Sequence, residues 1–321
     1  MLEFRESPDP VIGGPLEAVV RPIAATPCDL DRVIVRGLTP LPPPFALGHE
    51  CVAEVVAVGD GVRKLKPAQK VVVPWHLSCG ECGRCRAGLT ASCERVPPRA
   101  MYGAPLGGDF GGLFSDLVHV PFADAMLAPI PANLPPARIA SASDNLTDAW
   151  IAVARPLAER PGSPVLVVGG AGAIGLYAVE MALAAGAARV DYLDRSPQRR
   201  ELAISIGAQI VEEPGEYPVV VEASGRAEDL QRAVRCAAPG GHVTALGIHF
   251  LDVAFPLLDM YAKDVTFRTG RPSVGPHIKK VLGMVAEGRV HPQKISSKIV
   301  PWEQMIETLL DRKALKPIFV R

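Results

Sequence analysis

The chain has 321 residues, 48% of them hydrophobic, and its 34 Lys and Arg are balanced by 34 Asp and Glu. That length accommodates two domains with full cores. The neutral balance argues against nucleic acid or an anionic membrane surface as a partner, and no apolar run reaches the ~18 residues of a membrane span.

The N-terminus, Met1-Leu-Glu-Phe-Arg-Glu, lacks the basic-then-apolar order of a signal peptide. Seven cysteines are present, four of them inside one run of fifteen residues. Such odd, clustered usage reads as metal binding in a reducing, cytoplasmic compartment. Cys51 and Cys236 read as buried thiols without a role.

In the first ~140 residues, short apolar runs at Glu17–Arg21, Cys51–Val58 and Lys70–Val73 are bounded by Gly and Pro. Val52, Val56 and Val58, with Ala and Glu between, suit a half-buried antiparallel sheet, and a partly open barrel fits the pattern. Two short motifs interrupt it, Cys28-Asp-Leu-Asp31 and Gly48-His49-Glu50. Alone, a Cys reads as a core thiol and a His as a satisfied polar residue. Together, just upstream of a cysteine cluster, they read as metal ligands.

That cluster is Cys79, Cys82, Cys85 and Cys93, with two, two and seven residues between successive thiols. Four soft, deprotonated ligands wrap zinc tetrahedrally at ~2.3 Å. No position is left for water, so the site is structural. Two disulfides or an iron–sulfur cluster are the alternatives. The second has the wrong final spacing and no Pro after the last Cys. A third donor beside Cys28 and His49 would make an open, catalytic zinc site. Asp144 is the candidate, within a stretch of helical periodicity over 135–158; as an N-cap it would be unremarkable. Spacing does not choose between the two roles.

The texture then changes. Ser163–Val168 is a continuous apolar run, followed by Gly170-Ala-Gly172-Ala173-Ile174-Gly175, a helix former ending at Gly186, and a second apolar run to Asp194. The acid lies nineteen residues past the last glycine. Strand, G-x-G-x-x-G, helix, strand and acid together form a dinucleotide fingerprint. The glycines let a pyrophosphate approach the helix N-terminus. Asp194 would accept hydrogen bonds from the adenosine ribose and repel a 2′-phosphate, which favours NAD over NADP. Arg195 and Arg199 nearby temper that preference. Further βα units place Ser224, Gly247 and Ile248 at carboxyl ends of strands, where the ligand belongs. Gly240–Gly241 reads as a turn. The tail carries helices at His277–Glu287 and Trp302–Leu310 and a last apolar run at Ile318–Val320.

With these motifs in order, the chain resembles the zinc-dependent alcohol dehydrogenases of the medium-chain dehydrogenase/reductase family. The resemblance covers nearly the whole chain. It implies an α/β fold. A doubly wound, parallel-sheet (Rossmann) cofactor domain would span residues 145–271. A β-rich, GroES-like catalytic domain would span 1–144, with 272–321 returning to it. It implies Cys28, His49 and Asp144 as ligands of a catalytic zinc, with Glu50 as the neighbouring acid able to approach the metal. It implies Asp31 as the acid that orients the ligand His. The four cysteines would hold the second zinc. The activity implied is hydride transfer between an alcohol or polyol and NAD, with zinc as Lewis acid. Sugar or aldehyde dehydrogenation, or a non-catalytic nucleotide-binding scaffold, are the alternatives. A homodimer or homotetramer is usual.

Three features depart from the pattern. Leu30 and Val33 stand where members carry the hydroxyl and His of a proton relay. Asp148 stands where Thr is usual near the nicotinamide. Leu2–Arg5 resembles the family's second strand, with no first strand before it. Trp75, His76, Tyr102, Asp109 and Phe110 are expected to line the substrate cleft, and suit a polyol, sugar or secondary alcohol.

Overall fold

The computed structural model describes residues 2–170, 172–296, 298–311 and 314–321. In chain order it begins with β1 (Ala18–Ala25), α1 (Asp29–Val35), β2 (Cys51–Val58), β3 (Lys70–Val73) and α2 (Gly83–Arg86). Next come β4 (Val118–Val120), α3 (Ala123–Met126), β5 (Ala128–Pro129) and α4 (Asn145–Glu159). A second series follows: β6 (Val165–Val168), α5 (Ile174–Ala184), β7 (Val190–Leu193), α6 (Pro197–Ser205), β8 (Gln209–Ile210), β9 (Tyr217–Glu222), α7 (Ala227–Arg235), β10 (Ala237–Ala245), α8 (Leu257–Lys263) and β11 (Thr266–Thr269). The tail forms α9 (Gly275–Ala286), β12 (Lys298–Pro301), α10 (Met305–Leu310) and β13 (Pro317–Val320).

The chain divides into two compact units. One comprises Met1–Thr147, Pro272–Glu287 and Ser296–Arg321; the other comprises Asp148–Arg271 and Gly288–Ile295. The boundary thus falls at 147 rather than 144, and the returning tail is split. Gly288–Ile295 goes with the second unit because Arg289 Nη2 donates to Ala184 O at 2.7 Å and His291 N donates to Glu180 Oε1.

The first unit holds a seven-stranded mixed sheet, in the order β12-β13-β1-β2-β3-β5, with β4 also on β1. β1 organises it. Along its length β1 pairs with β2; its first residues also pair with β4, and Ala24 and Ala25 pair with β13. Register shifts at Val19/Val20 and Pro22/Ala24 bend the strand, as bulges do. The core beneath includes Val20, Val55, Val71, Leu113, Met126 and Phe319. No strand forms at Leu2–Arg5.

The second unit is a six-stranded parallel sheet, in the order β11-β10-β9-β6-β7-β8. β6 and β7 are buried at every position, as expected of parallel strands covered on both faces. The first nine residues of α5 are also buried, and all of them but Glu180 are apolar or aromatic, as expected of a helix packed on more than one side. Strand order reverses on either side of β6, which makes the carboxyl ends of β6 and β9 the topological switch point. Gly240 and Gly241 lie inside β10 rather than in a turn before it. The register on β9 slips between Ala237 and His242, and Gly240 takes φ +68° to allow it. Among the described residues, no helix is long and apolar enough to cross a membrane.

Candidate metal centres and dinucleotide site

Cys28, His49 and Asp144 come together in the first unit, each offering a donor atom within 4.8 Å of the others. Three local structures aim them. Cys28 caps α1, where its N–H donates to Asp31 Oδ2 at 2.8 Å. His49 follows Gly48, whose φ of +92° suits only glycine; a Cβ there would lie 2.4 Å from the Phe114 ring. Asp144 ends a 3-10 turn (Ala140–Ser143) immediately before α4. Its Oδ2 lies 3.7 Å from His49 Nε2. The other ring nitrogen, Nδ1, lies 3.3 Å from Asp31 Oδ1. That leaves Nε2 for the donor cluster, the arrangement expected of a metal-bound imidazole.

All three donors are buried. Burial pushes the Cys28 thiol up to about 12, and the Asp144 carboxylate adds to the rise. Burial also raises Asp144, against the pull of His49 and Lys316. Desolvation disfavours charge on His49, yet Asp31 and Cys28 carry its pKa well above the ordinary value. Two anionic donors forced together without water are stabilised by a divalent cation. Two anionic groups and an imidazole therefore fit zinc.

Glu50 does not join this trio. Its Oε1 accepts from Lys316 Nζ at 2.8 Å and its Oε2 from Ser141 Oγ at 2.5 Å. Lys316 is fully buried and also donates to Pro27 O and to Asn145 Oδ1. Asn145 Nδ2 in turn reaches Cys28 Sγ at 3.2 Å and Asp144 Oδ2 at 3.0 Å. Lys316, Asn145 and Ser141 are neighbours of the trio and of Glu50 that motif spacing missed. An apolar tail with one lysine was the only signal for Lys316.

Cys79, Cys82, Cys85 and Cys93 also lie within 4.8 Å of one another. All seven cysteines are free thiols, so the disulfide alternative falls. The N–H groups of Glu94 and Cys85 hold the Cys82 thiol down, to about 6. Cys82 and Glu81 N–H groups point at Cys79 Sγ, and Cys79 and Arg95 N–H groups at Cys93 Sγ, each at 3.4 Å. Backbone donors aimed at sulfur favour thiolates, and four thiolates fit zinc.

In the second unit, Gly170, Gly172 and Ala173 lead from β6 into α5, which begins at Ile174; Ala171 lies outside the described residues. Gly170 takes φ +147°, and a Cβ there would lie 3.0 Å from Ser224 Cβ. A Cβ on Gly175 would lie 3.4 Å from Gly169 Cα, so a larger side chain would part helix from strand. Asp194 follows β7, with Arg199 in the first turn of α6. Arg195 instead turns to Glu228 and Asp229, at 3.2 and 3.1 Å. Ser224 donates to Glu222 Oε1 at the end of β9. Gly247, after β10, would bring a Cβ 2.5 Å from Gly225 N; Ile248 beside it is exposed. These residues surround the switch point, and the glycine-lined N-terminus of α5 suits a pyrophosphate.

The residues expected in a substrate cleft divide differently. Tyr102 is fully buried in the core, where its hydroxyl donates to His119 O. Trp75 and His76 are buried too, and His76 Nε2 lies 3.3 Å from Thr90 Oγ1. Phe110 packs against the same core. Asp109 is exposed and accepts from Gly111 N. Asp148 sits half-buried in the first turn of α4.

Residues 14–132 match the alcohol dehydrogenase GroES-like domain, and residues 173–285 match the zinc-binding dehydrogenase domain. A protein of Mycobacterium tuberculosis named as a probable zinc-binding alcohol dehydrogenase is 30% identical, over 92% of this chain and 79% of its own length. The alcohol dehydrogenase TADH from Thermus sp. ATN1 is 36% identical with a TM-score of 0.90, covering 98% of this chain and 95% of that one. This chain belongs to the zinc-binding alcohol dehydrogenases. Another family structure, a zinc-binding dehydrogenase from Sinorhizobium meliloti 1021, was solved bound to NADP; it is 26% identical with a TM-score of 0.80, covering 98% and 94%. As a member of the medium-chain dehydrogenase/reductase family, this chain is an oxidoreductase. It combines a GroES-like domain with a Rossmann-like one, and the family implies zinc and a nicotinamide cofactor.

Proposed function

We propose that this member transfers hydride between an alcohol or polyol and NAD, and holds two zinc ions per chain. The observation that carries the proposal is the buried trio of Cys28, His49 and Asp144, backed by Asp31 on one side and Asn145 on the other. When bound, zinc supplies a Lewis acid for the substrate oxygen and the nicotinamide supplies the hydride acceptor.

The chain's own residues do the rest. Cys28, His49 and Asp144 would hold the catalytic ion, and Asp31 fixes the ring of His49. Asn145 donates to two of the ligands and so favours their anionic forms. Lys316 restrains Glu50 beside the trio. Asp144 keeps 12% of its side chain exposed, so the centre opens on that side. Leu30 and Val33 carry no proton, so no relay runs through those two positions. NAD is taken over NADP because Asp194 stands at the end of β7, where an acid reads the adenosine ribose.

Homodimerisation or homotetramerisation is part of the same proposal. Exposed Leu251, Leu257, Leu258 and Tyr261 and the edge strand β11 support it. Seven free thiols suit the cytoplasm.

The test is reduction of NAD with a panel of primary, secondary and polyhydric alcohols, alongside aldoses and aldehydes, before and after chelation. Turnover on alcohols that is lost with the metal supports the proposal. No turnover at any pH, with NADH still bound, supports the scaffold reading instead.

A further inference from the structure

The hydrogen bonds of Lys316 follow a pattern. Its Nζ donates to Pro27 O at 2.8 Å, to Glu50 Oε1 at 2.8 Å and to Asn145 Oδ1 at 2.9 Å. Pro27 precedes Cys28, Glu50 follows His49, and Asn145 follows Asp144. One ammonium thus reaches the chain neighbour of every member of the trio. The three segments are scattered through the sequence, and they meet at a side chain with no exposed surface.

The contact with Asn145 also fixes a polarity. The two ends of an amide have nearly the same shape, so neighbouring donors and acceptors decide which way it faces. An ammonium has donors and no acceptor. Beside Lys316 the amide must therefore present its oxygen, and its NH2 group is left facing the trio. There Nδ2 donates to Cys28 Sγ at 3.2 Å and to Asp144 Oδ2 at 3.0 Å. Turned over, the same side chain would set its oxygen against two anionic donors. Asn145 is only 2% exposed, so bulk solvent does not compete for either end.

The amide works in the opposite sense to Asp31. Asp31 lies beside Nδ1 of His49, and an acid there makes an imidazole a stronger electron donor. A hydrogen bond donated to a thiolate or a carboxylate instead takes electron density from it. We infer that Asn145, its amide orientation set by Lys316, draws charge out of Cys28 and Asp144 and so makes zinc held by the trio a stronger Lewis acid toward the substrate oxygen. This rests on the reading of the trio as a zinc site. Ligands that give up less charge leave more of it on the metal, and that charge is what polarises an oxygen. Asn145 and Lys316 are positioning residues, acting through the ligands.

The experiment is visible absorption of the full chain loaded with cobalt(II) in place of zinc, with no turnover involved. Subtracting the spectrum of Cys28→Ser, which keeps the bands of the cysteine quartet, isolates the thiolate-to-cobalt band of Cys28. In Asn145→Leu the sulfur loses its donor and its electrons lie higher in energy, so this band should move to longer wavelength. Asn145→Ala removes the same donor and serves where leucine prevents folding. Cobalt affinity at the trio, read by chelator competition, should fall by about 10–100-fold in either variant. The double variant Glu50→Gln/Lys316→Met frees the amide to turn without stranding a charge, and its band should move the same way. A band that stays in place when Asn145 is replaced, with affinity reduced, would mark a merely structural asparagine and overturn the inference. A shift on replacing Asn145 with none in the double variant would overturn the part assigned to Lys316. If subtraction leaves no Cys28 band in the unaltered protein, the metal reading of the trio falls, and this inference with it.

Discussion

Lys316 Nζ lies 2.8 Å from Glu50 Oε1, and neither side chain touches solvent. The two residues are 266 positions apart in the chain. Burial pushes the Glu50 carboxyl up to about 7 even against the pull of this ammonium. Removing one partner of a buried pair costs more than removing both, because it strands the other charge. Lys316→Met should destabilise the first unit by about 3–5 kcal/mol. The double variant Glu50→Gln/Lys316→Met should recover much of the loss. Urea unfolding of the zinc-loaded protein measures both; equal losses would remove Glu50 as the reason for Lys316.

Gly48 should tolerate no side chain. Its φ of +92° disfavours any L residue, and a Cβ would collide with Phe114. Left-handed backbone alone costs about 1–2 kcal/mol. Shifting His49 by a fraction of an ångström should cost activity more than stability. In Gly48→Ala the expected outcome is a modest fall in melting temperature with a kcat loss of at least about tenfold, measured on the same preparation.

Metal content should respond site by site. The unaltered protein should carry about two zinc ions. Cys93→Ser should lose one and keep the other. Asp31→Ala, which touches no metal, should weaken the His49 site by about 10–100-fold, because the ring loses its orienting acid. Elemental analysis after dialysis against graded chelator reads all three. A single zinc in unaltered protein, lost in Cys93→Ser, would leave Cys28, His49 and Asp144 without their proposed ion.

Cys82 provides a pH test. Its thiol is held at about 6, whereas burial takes Cys85 to about 12. The thiolate is the reactive form. In metal-stripped protein Cys82 should therefore alkylate first, at full rate above pH ~7 and progressively more slowly as pH falls through 6. Zinc should protect it. Mass spectrometry of peptides after short iodoacetamide pulses gives the order of labelling.

Much of this was legible from residue type and spacing, and the reasons differ by element. The glycine fingerprint and the cysteine quartet are local: each is complete within about twenty-five residues, so spacing alone reveals it. Cys28, His49 and Asp144 could be suspected from their neighbours, but only the fold brings them together. Lys316 was invisible, because a lone lysine in an apolar tail resembles any surface charge until β13 draws it under Glu50. Tyr102 and His76 show another limit of reading by residue type. Their polar atoms suggest a cleft, and only the fold shows that both side chains are buried, with the Tyr102 hydroxyl donating to His119 O and His76 Nε2 beside Thr90 Oγ1. Asp194 was correctly placed at the end of its strand; its crowding by Tyr192 and Arg199 required side-chain geometry.

The position of Lys316 also sets an order of assembly on the ribosome. Asn145 is made 171 residues before the lysine that anchors it. At translation rates of ~5–20 residues per second, that interval lasts roughly 10–30 s. The cysteine quartet is complete as soon as it emerges, whereas Glu50 must wait for its counterion until the last strand is delivered. The growing polypeptide is thus stapled early and made competent late.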